Sequence, residues 1–211
     1  MALEHDELVR LYGRWAGRTP GDAAALLDGY EGLWWIAGGW SLEAFGGISR
    51  RHDDCDPCVL RTDLPLLRRH LAGRLDIWAA SNGALWPLLP DERPAAAAAE
   101  VLPEGCDQVW TRRSGSDPWE FDILLAPGDR ATWVYRRDPR LTMPMSDALW
   151  ERHGIRYLQP QIQLLHKARG LRPKDWSDFE LTLPFLDDCR RGWLADALRT
   201  TLPQHPWLAR L

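Results

Sequence analysis

Short apolar runs broken by glycine and proline fill the first two thirds of the chain, and helical spacing of apolar positions takes over in the last third. Leu8 to Trp15 and Ala23 to Tyr30 predict two short helices, punctuated by Thr19-Pro20-Gly21. Leu33-Trp34-Trp35-Ile36-Ala37 is a compact apolar run stopped by Gly38-Gly39, a buried strand closing in a tight turn. Trp40 to Phe45 predicts one or two helical turns before Gly46-Gly47. Residues 54 to 61 predict a second strand, and Thr62 the cap of a helix running to His70. Further strands are predicted at Asp76 to Ala80, Leu85 to Leu89, Val109 to Arg112, Trp119 to Leu125 and Thr132 to Arg136. Pro90 to Pro103 holds five consecutive alanines and reads as a connector or a short helix. Beyond Ser146, Gln159 to Ala168, Lys174 to Leu183 and Arg190 to Leu202 predict helices divided by prolines. The pattern gives an α+β fold: a mixed β-sheet part over 1–140 and a helical subdomain over 141–211.

Composition narrows the class. At 211 residues, with 45% hydrophobic and 27% charged residues, the chain is long enough for a core of its own. A formal charge of −4 argues against binding nucleic acid by bulk charge. No apolar run reaches ~18 residues and the first residues are acidic, so no membrane span or signal peptide is read and a cytoplasmic location is expected. Thirteen Trp stand against four Phe and four Tyr, which places many indoles at core edges and pocket walls. Trp34, Trp35, Trp133 and Trp193 read as core; Trp40 and Trp86 are candidates for a stacking wall. Cys55 and Cys58 have zinc or redox spacing, but no second pair completes a tetrahedral site.

The chemistry concentrates in residues 36 to 61 and 119 to 125. A buried strand delivers a Gly-Gly turn that opens a helix, where free N–H groups attract anions. Asp54 and Asp56 follow, spaced so that a strand would point both the same way, about 7 Å apart. In Trp119-Glu120-Phe121-Asp122-Ile123-Leu124-Leu125 the apolar residues alternate onto one face, leaving Glu120 and Asp122 on the other. An acid within an apolar strand costs several kcal/mol unless it is paired or metal-bound. The bland reading of Asp53, Asp54 and Asp56 is a solvated acidic turn beside Arg50 and Arg51.

The segments AGGWSLEAFGG, RRHDDCD, YLQPQIQLLHKARGLRPKDWSDF and QHPWLARL together resemble the nucleotidyltransferase superfamily with the DNA polymerase β-like core, in its aminoglycoside-adenylyltransferase-like branch. The resemblance runs from about residue 30 to the end. It implies transfer of a nucleoside monophosphate, AMP from ATP, to a hydroxyl of a small-molecule acceptor such as an aminoglycoside-like antibiotic, with release of pyrophosphate. It implies two Mg²⁺ ions on Asp54, Asp56 and Asp122, with Asp122 also taking the hydroxyl proton. Gly38, Gly39, Trp40 and Ser41 would face the triphosphate, with Lys167 and Lys174 reaching it from the helical part. The bland reading of both lysines is a solvated basic face. Pro57 and Gln161 depart from the branch's usual residues, an aliphatic strand former and a glutamate. A second reading stays open: a catalytically idle module of the same fold that binds a nucleotide or a protein.

Overall fold

The computed structural model describes residues 5–47, 50–52, 54–89 and 102–211. In chain order these form α1 (His5–Tyr12), α2 (Pro20–Leu26), β1 (Trp34–Ile36), α3 (Gly38–Gly46), β2 (Pro57–Leu60) and α4 (Leu64–Leu71). Then come β3 (Asp76–Ser81), β4 (Ala84–Leu88), β5 (Gln108–Arg112), β6 (Phe121–Ala126), β7 (Thr132–Val134) and β8 (Thr142–Pro144). The chain closes with α5 (Met145–Ala148), β9 (Leu149–Arg152), β10 (Ile155–Leu158), α6 (Pro160–Ala168), α7 (Pro173–Thr182) and α8 (Asp188–Thr201). Thr62 falls in a 3₁₀ turn at Arg61–Asp63 and does not cap α4. Residues 90–101, most of the predicted connector, lie outside the described residues. No helix among the described residues is long and apolar enough to cross a membrane.

The chain divides into two compact units, Met1–Trp34 with His52–Pro127, and Trp35–Arg51 with Gly128–Leu211. This differs from a cut near residue 140. The α3 segment joins the later part of the chain, and three strands, β8 to β10, follow residue 140.

The first unit orders its strands β4-β3-β5-β6-β2. β2 runs parallel to β6, and the other neighbours are antiparallel. The two-residue turn Asn82-Gly83 joins β3 to β4 with φ of 51° and 75°, as an Asn-Gly hairpin requires. Period-2 alternation sets the core. Phe121, Ile123 and Leu125 are buried while Asp122 and Leu124 are half-exposed. On the same face Ile77, Ala79 and Val109 join Leu64, Leu67 and Leu71 of α4 in the core.

The second unit holds β10 between β1, parallel, and β9, antiparallel. Its helices bury Ile162, Leu164 and Leu165 of α6, Phe179 of α7, and Leu194 and Leu198 of α8. Phe179 stacks on Trp207 with centroids 4.2 Å apart.

Two histidines of this unit are built to stay neutral. The backbone N–H of Trp207 donates to His205 Nδ1 at 3.2 Å, so the ring proton sits on Nε2 and meets the Ala168 carbonyl at 2.9 Å. Burial lowers the pKa of His205, partly opposed by that carbonyl. His166 lies edge-on to Tyr135 and Trp133. Burial, then Arg137 and Arg136, hold its pKa down to about 3. Unfolded histidine protonates near the ordinary value of about 6.5, so below that pH the unfolded chain binds more protons. Stability therefore falls as pH drops below about 6.5, by up to ~1.4 kcal/mol per pH unit for each histidine. Melting temperatures between about pH 7.5 and 5 check this: the expected result is a steady decline, shallower in His166→Phe, and a flat profile contradicts it.

Candidate functional site

In the first unit, β2 begins at Pro57 and not at Asp54. Proline has no N–H to give the ladder and suits a strand's first position. Asp54, exposed, and Asp56, half-buried, therefore stand in the segment leading into β2, which corrects the expected Asp-x-Asp strand face. The parallel register sets Cys58 beside Leu124. Followed back two residues, that register brings Asp56 level with Asp122. Asp122 is the half-exposed acid of β6. Glu120, level with Asp54 by the same count, is 7% exposed and held by Arg18 at 2.7 Å and Arg113 at 3.3 Å. The two acids thus differ in burial: Glu120 is buried in ion pairs, while Asp122 is half-exposed with its Oδ1 buried. Asp53 lies outside the described residues.

Among the described residues no three His, Cys, Asp or Glu side chains stand close enough to hold a metal ion. The three-aspartate cage is not assembled as such; the register brings level a pair, Asp56 and Asp122. Two carboxylates of this kind fit a hard divalent ion that fills its remaining positions with water and phosphate oxygens. Cys55 is fully buried, and burial, then Asp56 and Asp54, push its thiol pKa well up.

In the second unit, Gly38 opens α3 with φ of +68°, a conformation that suits glycine. Its N–H donates to Oε1 of the buried Gln163 at 2.9 Å. The hydroxyl of Ser41, fully buried, donates to the Gly38 carbonyl at 2.9 Å. These contacts hold the turn itself. Gly39 opens onto a shallow hollow it shares with Glu43, Arg50, Asp178 and Thr182, and Trp40 is half-buried. Trp86 is exposed on β4, and Trp34 and Trp193 are only half-buried, unlike Trp35 and Trp133 in the core.

Lys167 is on no solvated face. It is 8% exposed, its ammonium 2.8 Å from Asp178 and 3.6 Å from Asp175. Asp178 also accepts from Arg50 at 2.9 and 3.2 Å, and Asp175 from Arg172 at 2.8 and 3.1 Å. Five charges thus alternate through this unit, an arrangement sequence reasoning missed. Its local traces are Arg172 and Asp175, and Asp175 and Asp178, each three apart in sequence. Lys174 is exposed in the first turn of α7. Gln161 is 7% exposed, and its buried Oε1 has no hydrogen-bond partner among the described residues.

Because each aspartate keeps an arginine when Lys167 is removed, Lys167→Met is expected to cost about 1–3 kcal/mol, the scale of hydrogen bonds to charged groups. Denaturant melts with ATP kinetics alongside check this. An unchanged melt contradicts the structural role, and a raised KM for ATP restores the nucleotide contact expected from sequence.

No protein-family model matches the chain, and no curated protein matches its sequence. Solved structures do match in fold. The solution structure of the antibiotic-resistance factor ANT(2'')-Ia aligns over 85% of this chain and 89% of its own, at 14% identity and a TM-score of 0.51. The lincosamide antibiotic adenylyltransferase LnuA, with lincomycin bound, aligns over 82% and 99% at 14% identity and a TM-score of 0.53. ANT(2'')-Ia in complex with adenylyl-2''-tobramycin aligns over 83% and 92% at 15% identity and a TM-score of 0.51. The α+β chain described here therefore has the fold that ANT(2'')-Ia and LnuA share with it.

Proposed function

We propose that this chain is a nucleotidyltransferase that moves a nucleoside monophosphate, AMP from ATP, onto a hydroxyl of a small antibiotic-like acceptor. The observation that carries the reading is the parallel register of β2 and β6, which, followed back from Cys58 and Leu124 into the segment before β2, sets Asp56 level with Asp122 of β6. It gains weight from a fold found also in LnuA, solved with lincomycin, and in ANT(2'')-Ia, solved with an adenylylated tobramycin.

Asp56 and Asp122, with Asp54 beside them, are the residues to hold Mg²⁺. When bound, two such ions would offset triphosphate charge and favour displacement at the α-phosphorus. Asp122 takes the proton of the acceptor hydroxyl as that oxygen bonds to the α-phosphorus and the bond to pyrophosphate breaks. In the second unit, the first turn of α3 offers the N–H groups of Gly39 and Trp40 to phosphate oxygens, while Gly38 and Ser41 keep the turn in shape. Lys174 is exposed and able to meet phosphate, whereas Lys167 is already shared by two carboxylates.

The test is incubation with labelled ATP, Mg²⁺ and a panel of hydroxylated antibiotics. Labelled acceptor together with pyrophosphate supports the reading. Saturable ATP binding with no transfer to any acceptor supports the idle module instead.

A further inference from the structure

Helix α3 begins without a cap of its own. Ala37 stands in the capping position, with φ of −110° and ψ of −157°, and makes no side-chain hydrogen bond there. A serine, threonine, asparagine or aspartate at this position accepts from one of the first N–H groups of a helix. Alanine leaves those groups in need of other acceptors. Ser41, the fourth residue of α3, does not take over the task, because its hydroxyl donates to the Gly38 carbonyl.

The acceptor comes from α6. β1 and β10 run parallel with Ile36 beside Tyr157, and each leads within a few residues into a helix, α3 and α6. The first turns of the two helices therefore come side by side. Gln163, the fourth residue of α6, meets Gly38, the first of α3, across 125 positions of chain, and its Oε1 accepts the Gly38 N–H at 2.9 Å. Gln163 is 6% exposed. The other two glutamines at the start of α6 do not share this role: Gln159 Oε1 accepts from Arg190, and the buried Gln161 Oε1 has no hydrogen-bond partner among the described residues.

An amide differs from a carboxylate at this end of a helix. A carboxylate would make the stronger hydrogen bond to the Gly38 N–H and would suit the helix dipole. It would also set a full negative charge, in low-dielectric surroundings, beside the N–H groups that a phosphate is to use. The amide supplies the acceptor with no net charge. It ties down Gly38 at its φ of +68° and leaves the positive end of α3 unneutralised.

We propose that Gln163 is a positioning residue for the phosphates of the nucleotide. Its amide oxygen fixes the turn at Gly38, and its neutrality keeps the first turn of α3 attractive to anions. The role rests on the nucleotidyltransferase reading and requires no contact between Gln163 and the nucleotide.

The experiment measures melting temperature and the Kd for ATP, by calorimetry with Mg²⁺ and without acceptor, in the wild type, Gln163→Met and Gln163→Glu. Gln163→Met keeps the length of the side chain and loses the acceptor. It is expected to melt lower and to raise the Kd about five- to tenfold, the scale of one lost hydrogen bond. Gln163→Glu keeps an acceptor and adds charge. It is expected to raise the Kd at least about tenfold at pH 8, with the loss relative to wild type easing at pH 6, because burial and a nearby phosphate both favour protonation of the new carboxyl. A Gln163→Met protein that melts lower but binds ATP like the wild type makes the residue merely structural and overturns the proposal. A Kd within about twofold of wild type in Gln163→Glu, or a loss equal at the two pH values, overturns the part played by neutrality. Absence of saturable ATP binding in the wild type rejects the nucleotidyltransferase reading itself, and the proposed role with it.

Discussion

Asp122→Asn is expected to lower nucleotidyl transfer by at least ~10²-fold at saturating ATP, with ATP affinity largely kept. The size is that of a lost general base, and loss of a metal ligand adds to it. The substitution keeps the side chain's shape on β6, between the buried Phe121 and Ile123, so the strand should fold as before. Asp56→Asn should fall as far, because the parallel register sets it level with Asp122. Asp54→Asn should fall less, since Asp54 is exposed in a segment without regular structure. Single-turnover rates with each variant decide the order. Turnover within a few-fold of wild type in Asp122→Asn contradicts the assignment of that residue; equal losses at Asp54 and Asp56 contradict the pair.

The second large effect is on stability. Asp178 is 5% exposed and holds two cations, Lys167 at 2.8 Å and Arg50 at 2.9 Å. Asp178→Ala leaves the buried Lys167 with only Asp175, 3.6 Å away. Removing one partner of a buried pair costs about 3–5 kcal/mol, because the remaining charge is left desolvated. Replacing both, as in Asp178→Leu with Lys167→Met, removes that charge and should recover much of the loss. Denaturant unfolding of the two single variants and the double variant measures it. A cost under about 1 kcal/mol for Asp178→Ala, or no recovery in the double variant, contradicts the account.

What sequence made legible follows from how local each signal is. The alternation in Phe121 to Leu125 predicted a strand with Asp122 on the open face, and the structure has it so. Gly38-Gly39 predicted a turn into a helix, and Gly38 opens α3. The hairpin of β9 and β10 went unpredicted because its turn is His153-Gly154, a weaker signal than Asn82-Gly83. The start of β2 slipped because alternation of the two aspartates outweighed the proline that follows them. In the charge chain from Arg50 to Arg172, the Arg172–Asp175 pair is local, but Arg50 and Asp178 lie 128 positions apart, and no local pattern encodes that pairing. The hydrogen bond from Gly38 to Gln163 follows from the pairing of β1 with β10, which periodicity alone leaves open.

The most direct measurement of the central claim is mass spectrometry of tobramycin and lincomycin after incubation with the protein, ATP and Mg²⁺, with pyrophosphate assayed in the same samples. The account predicts that at least one compound gains the mass of a single AMP residue, matched mole for mole by pyrophosphate. It also predicts that both products vanish in Asp122→Asn and on chelation of the metal. ATP hydrolysis to ADP and phosphate with unmodified antibiotics, or product formation that survives both chelation and Asp122→Asn, would contradict it.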